Sequence, residues 1–415
     1  MTLSVFRRRR PALAGAAGAV MLLLTSCAAP TAGTTEEFTD FEDVLAEADG
    51  QTVDLWMYGG DQQGNKYVDD VLAPAAAQQG VELRRVPVAD TADAVNRVLT
   101  EIQAGRDDGS VDLIWVNGAN FGTGKQAGAW RCGWTDLLPT MEYTDPDDPL
   151  ITHDFGIPVD GCEAPWHKAQ FTYAYNPEAI ADPPTSLEGI LEWADQNPGR
   201  FTYPAPPDFT GSVFLREVLL STAGGADEVP RRFSQQAFDR LAPDAIQRLE
   251  ELEPSLWREG RTYPRDEQAL NRLFANGEVD MTMTYGPARL TDLVESGALP
   301  ESTEILTLEE GTVGNASFLA IPANASDAAG AMVVANLALS PEQQAAKADP
   351  EVWGQFPVLD MDRISADQRQ LFRKLPSSDV VPPYEVLSRN AHGELAAEWV
   401  TPLDQAWRQD VASGG

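Results

Sequence analysis

Three apolar segments near the start of the chain, "VDLWMYGG" from Val53, "VELRRVPV" from Val81 and "VDLIWVNG" from Val111, are too short for helices and rich in β-branched and aromatic residues. Between them, Asn65 to Gln79 and Ala92 to Ala104 repeat apolar residues at helical spacing. Strands that alternate with helices imply a parallel sheet covered on both faces. This arrangement excludes bundles and sandwiches. It also places a binding site beyond the carboxyl ends of the strands. Those ends are Tyr58-Gly59-Gly60-Asp61 and Asn117-Gly118-Ala119-Asn120.

The second of these ends opens "NGANFGTGKQAG", which begins like a phosphate-binding loop. The spacing does not fit: a Walker loop needs Gly where Ala119 stands and Ser or Thr where Gln126 stands. A dinucleotide fingerprint would need an acidic partner about 20 residues further on, at the end of a second strand, and none is found.

The alternation continues with "AQFTYAYNPEAI", a Pro-rich break at "YPAPPDFTGS", a helix from Ser212 to Thr222, a helix near Asp266 to Ala275 and the strand "VDMTMTYGP". "GNASFLAIPANA" then precedes Ala-rich helices. About 385 residues follow Cys27, more than a single core usually serves, so two lobes are expected.

The N-terminus reads "MTLSVFRRRRPALAGAAGAVMLLLTSC": a tetra-arginine run and an apolar stretch too short to span a bilayer, in the order of an export signal. Leu24-Thr25-Ser26-Cys27 resembles the bacterial lipobox, in which the cysteine is acylated and becomes the mature N-terminus. Residues 1–26 are then a signal peptide, 27–50 a small, polar tether, and the protein is held on the outer face of the cell membrane. Sec and twin-arginine export both remain open. With Cys27 acylated, Cys132 and Cys162 form a pair suited to a disulfide outside the cytoplasm. Three histidines, none at ligand spacing, give no metal site, and no cofactor is expected.

Sixty-four acidic residues against 30 basic ones give a net charge of −34, which disfavours nucleic acid and anionic lipid surfaces as partners. The acidity is spread along the chain as a solvated face and makes cationic solutes easier to attract than anionic ones.

Taken in order, the lipobox, "VDLIWVNG", "GCEAPWHKAQFTYAYNPE", "PDFTGS", "LWREGRTYPRDEQALNRLFANGEVDMTMTYGPA" and "GNASFLAIP" resemble an extracellular solute-binding lipoprotein of an ABC importer. The resemblance is nearest to the group of thiamine, iron and polyamine transport binding proteins. It implies a type II periplasmic-binding-protein-like α/β clamp, each lobe a sheet flanked by helices. Lobe I would take residues 51–170 and 314–348, and lobe II residues 171–313 and 349–415. Such a monomeric clamp captures a small polar solute and delivers it to a membrane permease.

On this reading four loops face the cleft, those at Tyr58 to Asp61, Asn117 to Asn120, Phe209 to Ser212 and Tyr285 to Pro287. The expected ligand contacts are Tyr58, Gly60, Asp61, Asn117, Asn120, Glu163, Trp166, Tyr173, Phe209, Thr210, Ser212 and Tyr285. Thr210 or Ser212 can cap a helix whose amides attract oxygens. Trp166 and Tyr285 can stack on a planar cation, and Asp61 and Glu163 can pair with its charge. A thiamine-like or polyamine-like cation is expected ahead of iron, because adjacent tyrosines of the iron-binding kind are missing. The rival reading is an exported, lipid-anchored glycan-active enzyme working through two carboxylates. GxSxG, HExxH and Cys-His nucleophile patterns are all missing.

Overall fold

The computed structural model describes residues 38–286, 288–376, 380–388 and 390–412. The lipobox at Cys27, the tether up to residue 37 and Pro287 of the fourth cleft loop lie outside these residues.

A short helix, α1 (Phe41–Ala48), precedes β1 (Thr52–Tyr58). Next come α2 (Gln62–Tyr67), a π-helical turn (Val68–Leu72), α3 (Ala73–Ala77) and β2 (Glu82–Val88). They are followed by α4 (Thr91–Gln103), β3 (Leu113–Val116) and α5 (Gly118–Gln126). β1 pairs in parallel with both β2 and β3. The alternation in sequence is therefore realised as helices between parallel strands, and two of them begin at an aspartate: Asp61 caps α2 and Asp90 caps α4.

The long strands that follow pair antiparallel. β4 (Glu163–Tyr175), β5 (Met281–Tyr285) and β6 (Val313–Ala320) complete the order β2-β1-β3-β6-β4-β5. The wholly parallel sheet inferred from alternation thus holds only for the first three strands. The reason lies in the connections: β4 and β6 do not return through a crossover helix but run from one hydrophobic core into the other.

β4 contributes Ala164 and Trp166 to the first core and Phe171, Tyr173 and Tyr175 to the second. β6 makes the reverse passage, with Val313 in the second core and Ala316, Phe318 and Leu319 in the first. Both strands are buried along nearly their whole length, polar residues such as Glu163, His167, Gln170 and Asn315 included. The C-terminal stretch is divided between the cores: Trp353, Val358, Leu359 and Ile364 pack in the first, whereas Leu395, Trp399, Leu403 and Trp407 pack in the second.

Cys132 and Cys162 are joined as a disulfide that ties the loop after α5 to the start of β4. The Gly-rich stretch after Asn117 is helical rather than a loop. Its glycines serve packing: a Cβ on Gly124 would fall 2.3 Å from the Trp130 ring, and one on Gly122 would fall 2.7 Å from Ile157. The spacing that ruled out a phosphate loop has its cause here.

Candidate functional site

In the second lobe, α6 (Phe209–Thr222) and α7 (Glu267–Ala275) point their N-termini at the first lobe. Their caps are Asp208, which accepts from the Gly211 amide at 3.1 Å, and Asp266, which accepts from the Ala269 amide at 2.7 Å. Gly211 is required for this entry, since a Cβ there would meet the Pro204 carbonyl oxygen at 2.1 Å. α8 (Ala288–Glu295) follows β5 and adds Arg289.

Between the lobes lies a cavity of about 780 Å³. The first lobe lines it with Tyr58 from the end of β1, Ala89, Asp90 and Thr91 between β2 and α4, and Asn120 from α5. The second lobe supplies Asp208, Phe209 and Thr210, then Asp266, Glu267 and Gln268, and finally Tyr285 and Arg289. Strand ends and helix N-termini converge here from both lobes, which is where α/β sheets place ligands.

Tyr58 is 46% exposed and Phe209 50% exposed; they are the exposed large apolar side chains among the described residues. Phe209 is held edge-on against Tyr285, with ring centroids 5.2 Å apart. The Tyr58 ring folds over Gly60, where a Cβ would lie 2.2 Å from the tyrosine hydroxyl. Gly60 therefore shapes the site by leaving room for Tyr58.

The electrostatics of the cavity are set by four carboxylates, Asp90, Asp208, Asp266 and Glu267, against one guanidinium. Arg289 Nε stands 3.6 Å from Glu267 Oε1, and the Thr210 hydroxyl donates to Glu267 Oε2 at 3.1 Å. Burial raises the Glu267 carboxyl above the usual range, an effect that Arg289 and Thr210 only partly oppose. Asp208 is raised as well, by burial first and by the nearby charge of Asp266, with amide hydrogen bonds working in the opposite direction. A positive charge in this space would relieve both groups. Among the described residues, no group of three or more His, Cys, Asp or Glu side chains is arranged to hold a metal ion.

The structure thus brings Tyr58, Asn120, Phe209, Thr210 and Tyr285 together and places the other expected contacts elsewhere. Asp61 is engaged within the first lobe: its carboxylate accepts from the Gly64 amide at 2.9 Å and from Trp353 Nε1 at 2.8 Å. Asn117 stands at the start of α5, but the Gly118 amide donates to the Asp154 carboxylate at 2.7 and 2.8 Å. An internal carboxylate thus occupies the N-terminus of α5.

Glu163 is fully buried near Asp154, its oxygens without hydrogen-bond partners among the described residues. Burial, and secondarily the Asp154 charge, push its carboxyl well up, and its buried position keeps it out of the cavity lining. Trp166 is buried among Trp115, Trp353 and Tyr67, with centroids at 5.4, 5.2 and 6.4 Å. Tyr173 lies in the second core beside Phe171. Both belong to β4, whose two faces are covered. Ser212 sits a turn inside α6, where its hydroxyl donates to Asp404 at 2.9 Å, and Asp208 does the capping expected of Thr210 or Ser212.

The carboxylates that do line the cleft escaped the reading of the sequence. A signal for them exists, because Asp90, Asp208 and Asp266 each stand immediately before a helix that follows a strand end or a Pro-rich break.

The profile of the bacterial extracellular solute-binding protein family matches residues 70–361. The chain belongs to that family. A relative, Protein YnjB of Escherichia coli (strain K12), is 39% identical over 370 residues, covering 89% of this chain and 93% of its own. Among solved structures, an extracellular solute-binding protein from Bordetella parapertussis superposes with a TM-score of 0.64 at 16% identity, covering 88% of this chain and all of that one. The spermidine/putrescine ABC transporter substrate-binding protein PotD of Streptococcus pneumoniae gives 0.63 at 12% identity, over 86% and 98%. A periplasmic thiamin binding protein gives 0.54 at 17%, over 87% and 96%. The α/β fold is that of two-lobed periplasmic binding proteins, and the chain is a bacterial extracellular solute-binding protein.

Proposed function

We propose that this solute-binding protein captures a small organic cation in the cavity between Tyr58 and the acidic N-termini of α6 and α7, and releases it unchanged to a membrane permease. One observation carries the reading: four carboxylates and three aromatic rings line the cleft, against a single guanidinium. Aromatic faces attract cations by about 0.5–2 kcal/mol, more when the site is dry. The carboxylates supply the charge complement that Asp61 and Glu163 were expected to give. The names of two neighbours, a spermidine/putrescine and a thiamin binding protein, agree with a cationic cargo. A thiamine-like solute uses Tyr58, Phe209 and Tyr285 as flat partners; a polyamine-like solute relies on the carboxylates alone.

The proposed lobes take 51–170 with 314–348 and 171–313 with 349–415; the two cores support this division except at Trp353, Val358, Leu359 and Ile364, which pack in the first core. The protein works as a monomer without a cofactor and catalyses no turnover. Acylation at Cys27 holds it on the outer face of the cell membrane, and a Cys27→Ser protein that stays membrane-bound and normally processed would contradict the anchor. Calorimetric titration with thiamine, its phosphates, spermidine, ferric citrate and neutral sugars tests the cargo. Heat from thiamine or spermidine supports the cation, whereas binding confined to a sugar or to ferric citrate rejects it.

A further inference from the structure

A second cavity, about 630 Å³, lies between the lobes beside the crossing strand β4 and is lined by Lys168, Phe356, Ala288, Thr291 and Gly354 among others. Ala288 and Thr291 face this cavity, while Arg289, on the same first turn of α8, faces the solute cleft. α8 also makes a contact with α2 of the first lobe.

Gln63 Nε2 donates to Asp292 Oδ1 at 2.7 Å. Beneath this bond the lobes interlock through Trp353 and Gly354. A Cβ on Gly64 would lie 2.7 Å from the Trp353 ring, and a Cβ on Gly354 would lie 3.1 Å from the Ala288 methyl. Trp353-Gly354 therefore bridges the first turn of α2, at Gly64, to the first turn of α8, at Ala288. Each helix starts within a few residues of a cleft aromatic, Tyr58 at the end of β1 and Tyr285 at the end of β5. A change of lobe angle that moves those aromatics must also part Gln63 from Asp292.

We propose that Gln63 and Asp292 form a latch that holds the two lobes together and biases the clamp toward closure. Because a solute gains affinity in proportion to the closed fraction, the latch sets apparent affinity without touching the solute. A hydrogen bond to a carboxylate that is half removed from water shifts such a two-state equilibrium by about tenfold.

The test is small-angle scattering of the solute-free protein at pH 7, with amide hydrogen exchange of residues 62–67 and 288–295 on the same samples. Gln63→Ala and Asp292→Ala are expected to raise the radius of gyration and to speed exchange in both segments, and the double variant should go no further than either single one. Asp292→Asn keeps an acceptor oxygen and should stay compact, which separates the latch from a general loosening of the fold. Unchanged scattering in both alanine variants, or effects that add in the double variant, would overturn the latch. An Asp292→Asn protein as expanded as Asp292→Ala would overturn it equally.

Discussion

Tyr58 and Phe209 face one cavity from opposite lobes, and each leaves about half of its surface in water while every comparable aromatic side chain among the described residues is more deeply covered. Folding alone gains nothing from that exposure, since burying such a ring contributes about 1.5–3 kcal/mol. The exposure is accounted for when a solute covers the rings. Phe209→Ala and Tyr58→Ala are each expected to weaken solute binding by about 3- to 30-fold while leaving the melting temperature nearly unchanged. Calorimetric titration beside thermal melting separates these outcomes, and a large loss of stability with unaltered affinity would speak against the assignment.

Charge is the next matter. Asp208→Asn keeps a good helix cap and removes a carboxylate from the cleft. Glu267→Gln keeps an acceptor for the Thr210 hydroxyl. Each variant is expected to lower affinity for a cationic solute about tenfold at pH 7 and to leave folding intact. Since burial raises both carboxyls, their protonation begins at a higher pH than for exposed acids. Affinity in the parent protein should therefore fall on acidification before the exposed carboxylates titrate, and this early fall should be reduced in the two variants.

The buried acids near α5 give a stability prediction with the opposite slope. Asp154 is pushed up to about 8 by burial, with the Gly118 amide opposing and the Glu394 charge adding to the rise; Glu163 is pushed up by burial and by Asp154. A carboxyl whose folded value exceeds its unfolded one binds an extra proton in the native state. Stability is then lost as pH rises from about 4 toward 8, the interval between the ordinary carboxyl range and the folded value. Urea titration at pH 5 and pH 8 should show the parent weaker at pH 8, with Glu163→Gln narrowing the gap. A gap of the same size in the variant would remove Glu163 from the explanation.

The Cys132 to Cys162 bridge closes a 30-residue separation in sequence. Loop entropy assigns it about 3–4 kcal/mol. Reduction, or a Cys132→Ser/Cys162→Ser pair, should lower the urea midpoint accordingly; an unchanged midpoint would show that the reduced chain keeps the loop closed by other means.

The architecture was legible because apolar runs and helical spacing are local signals. β1, β2 and β3 lie where "VDLWMYGG", "VELRRVPV" and "VDLIWVNG" place them. The direction of the later strands was not, since pairing β6 between β3 and β4 depends on contacts some 150 to 200 residues apart in the chain. Tyr58 and Tyr285, next to strand ends, line the cavity between the lobes. Trp166 and Tyr173 misled because an aromatic residue in a strand covered on both faces looks the same as one at a cleft edge. Asp61 misled because its carboxylate already serves Gly64 and Trp353, a long-range demand invisible in the local sequence.

Native mass spectrometry of freshly isolated protein, followed by identification of whatever the denatured protein releases, puts the capture of a small organic cation to the most direct test. The predicted result is a single bound molecule carrying positive charge, recovered chemically unchanged and no longer retained when Asp208 and Glu267 are replaced by Asn and Gln. A bound sugar or anion retained equally by that double variant, or a compound the protein converts, would contradict it.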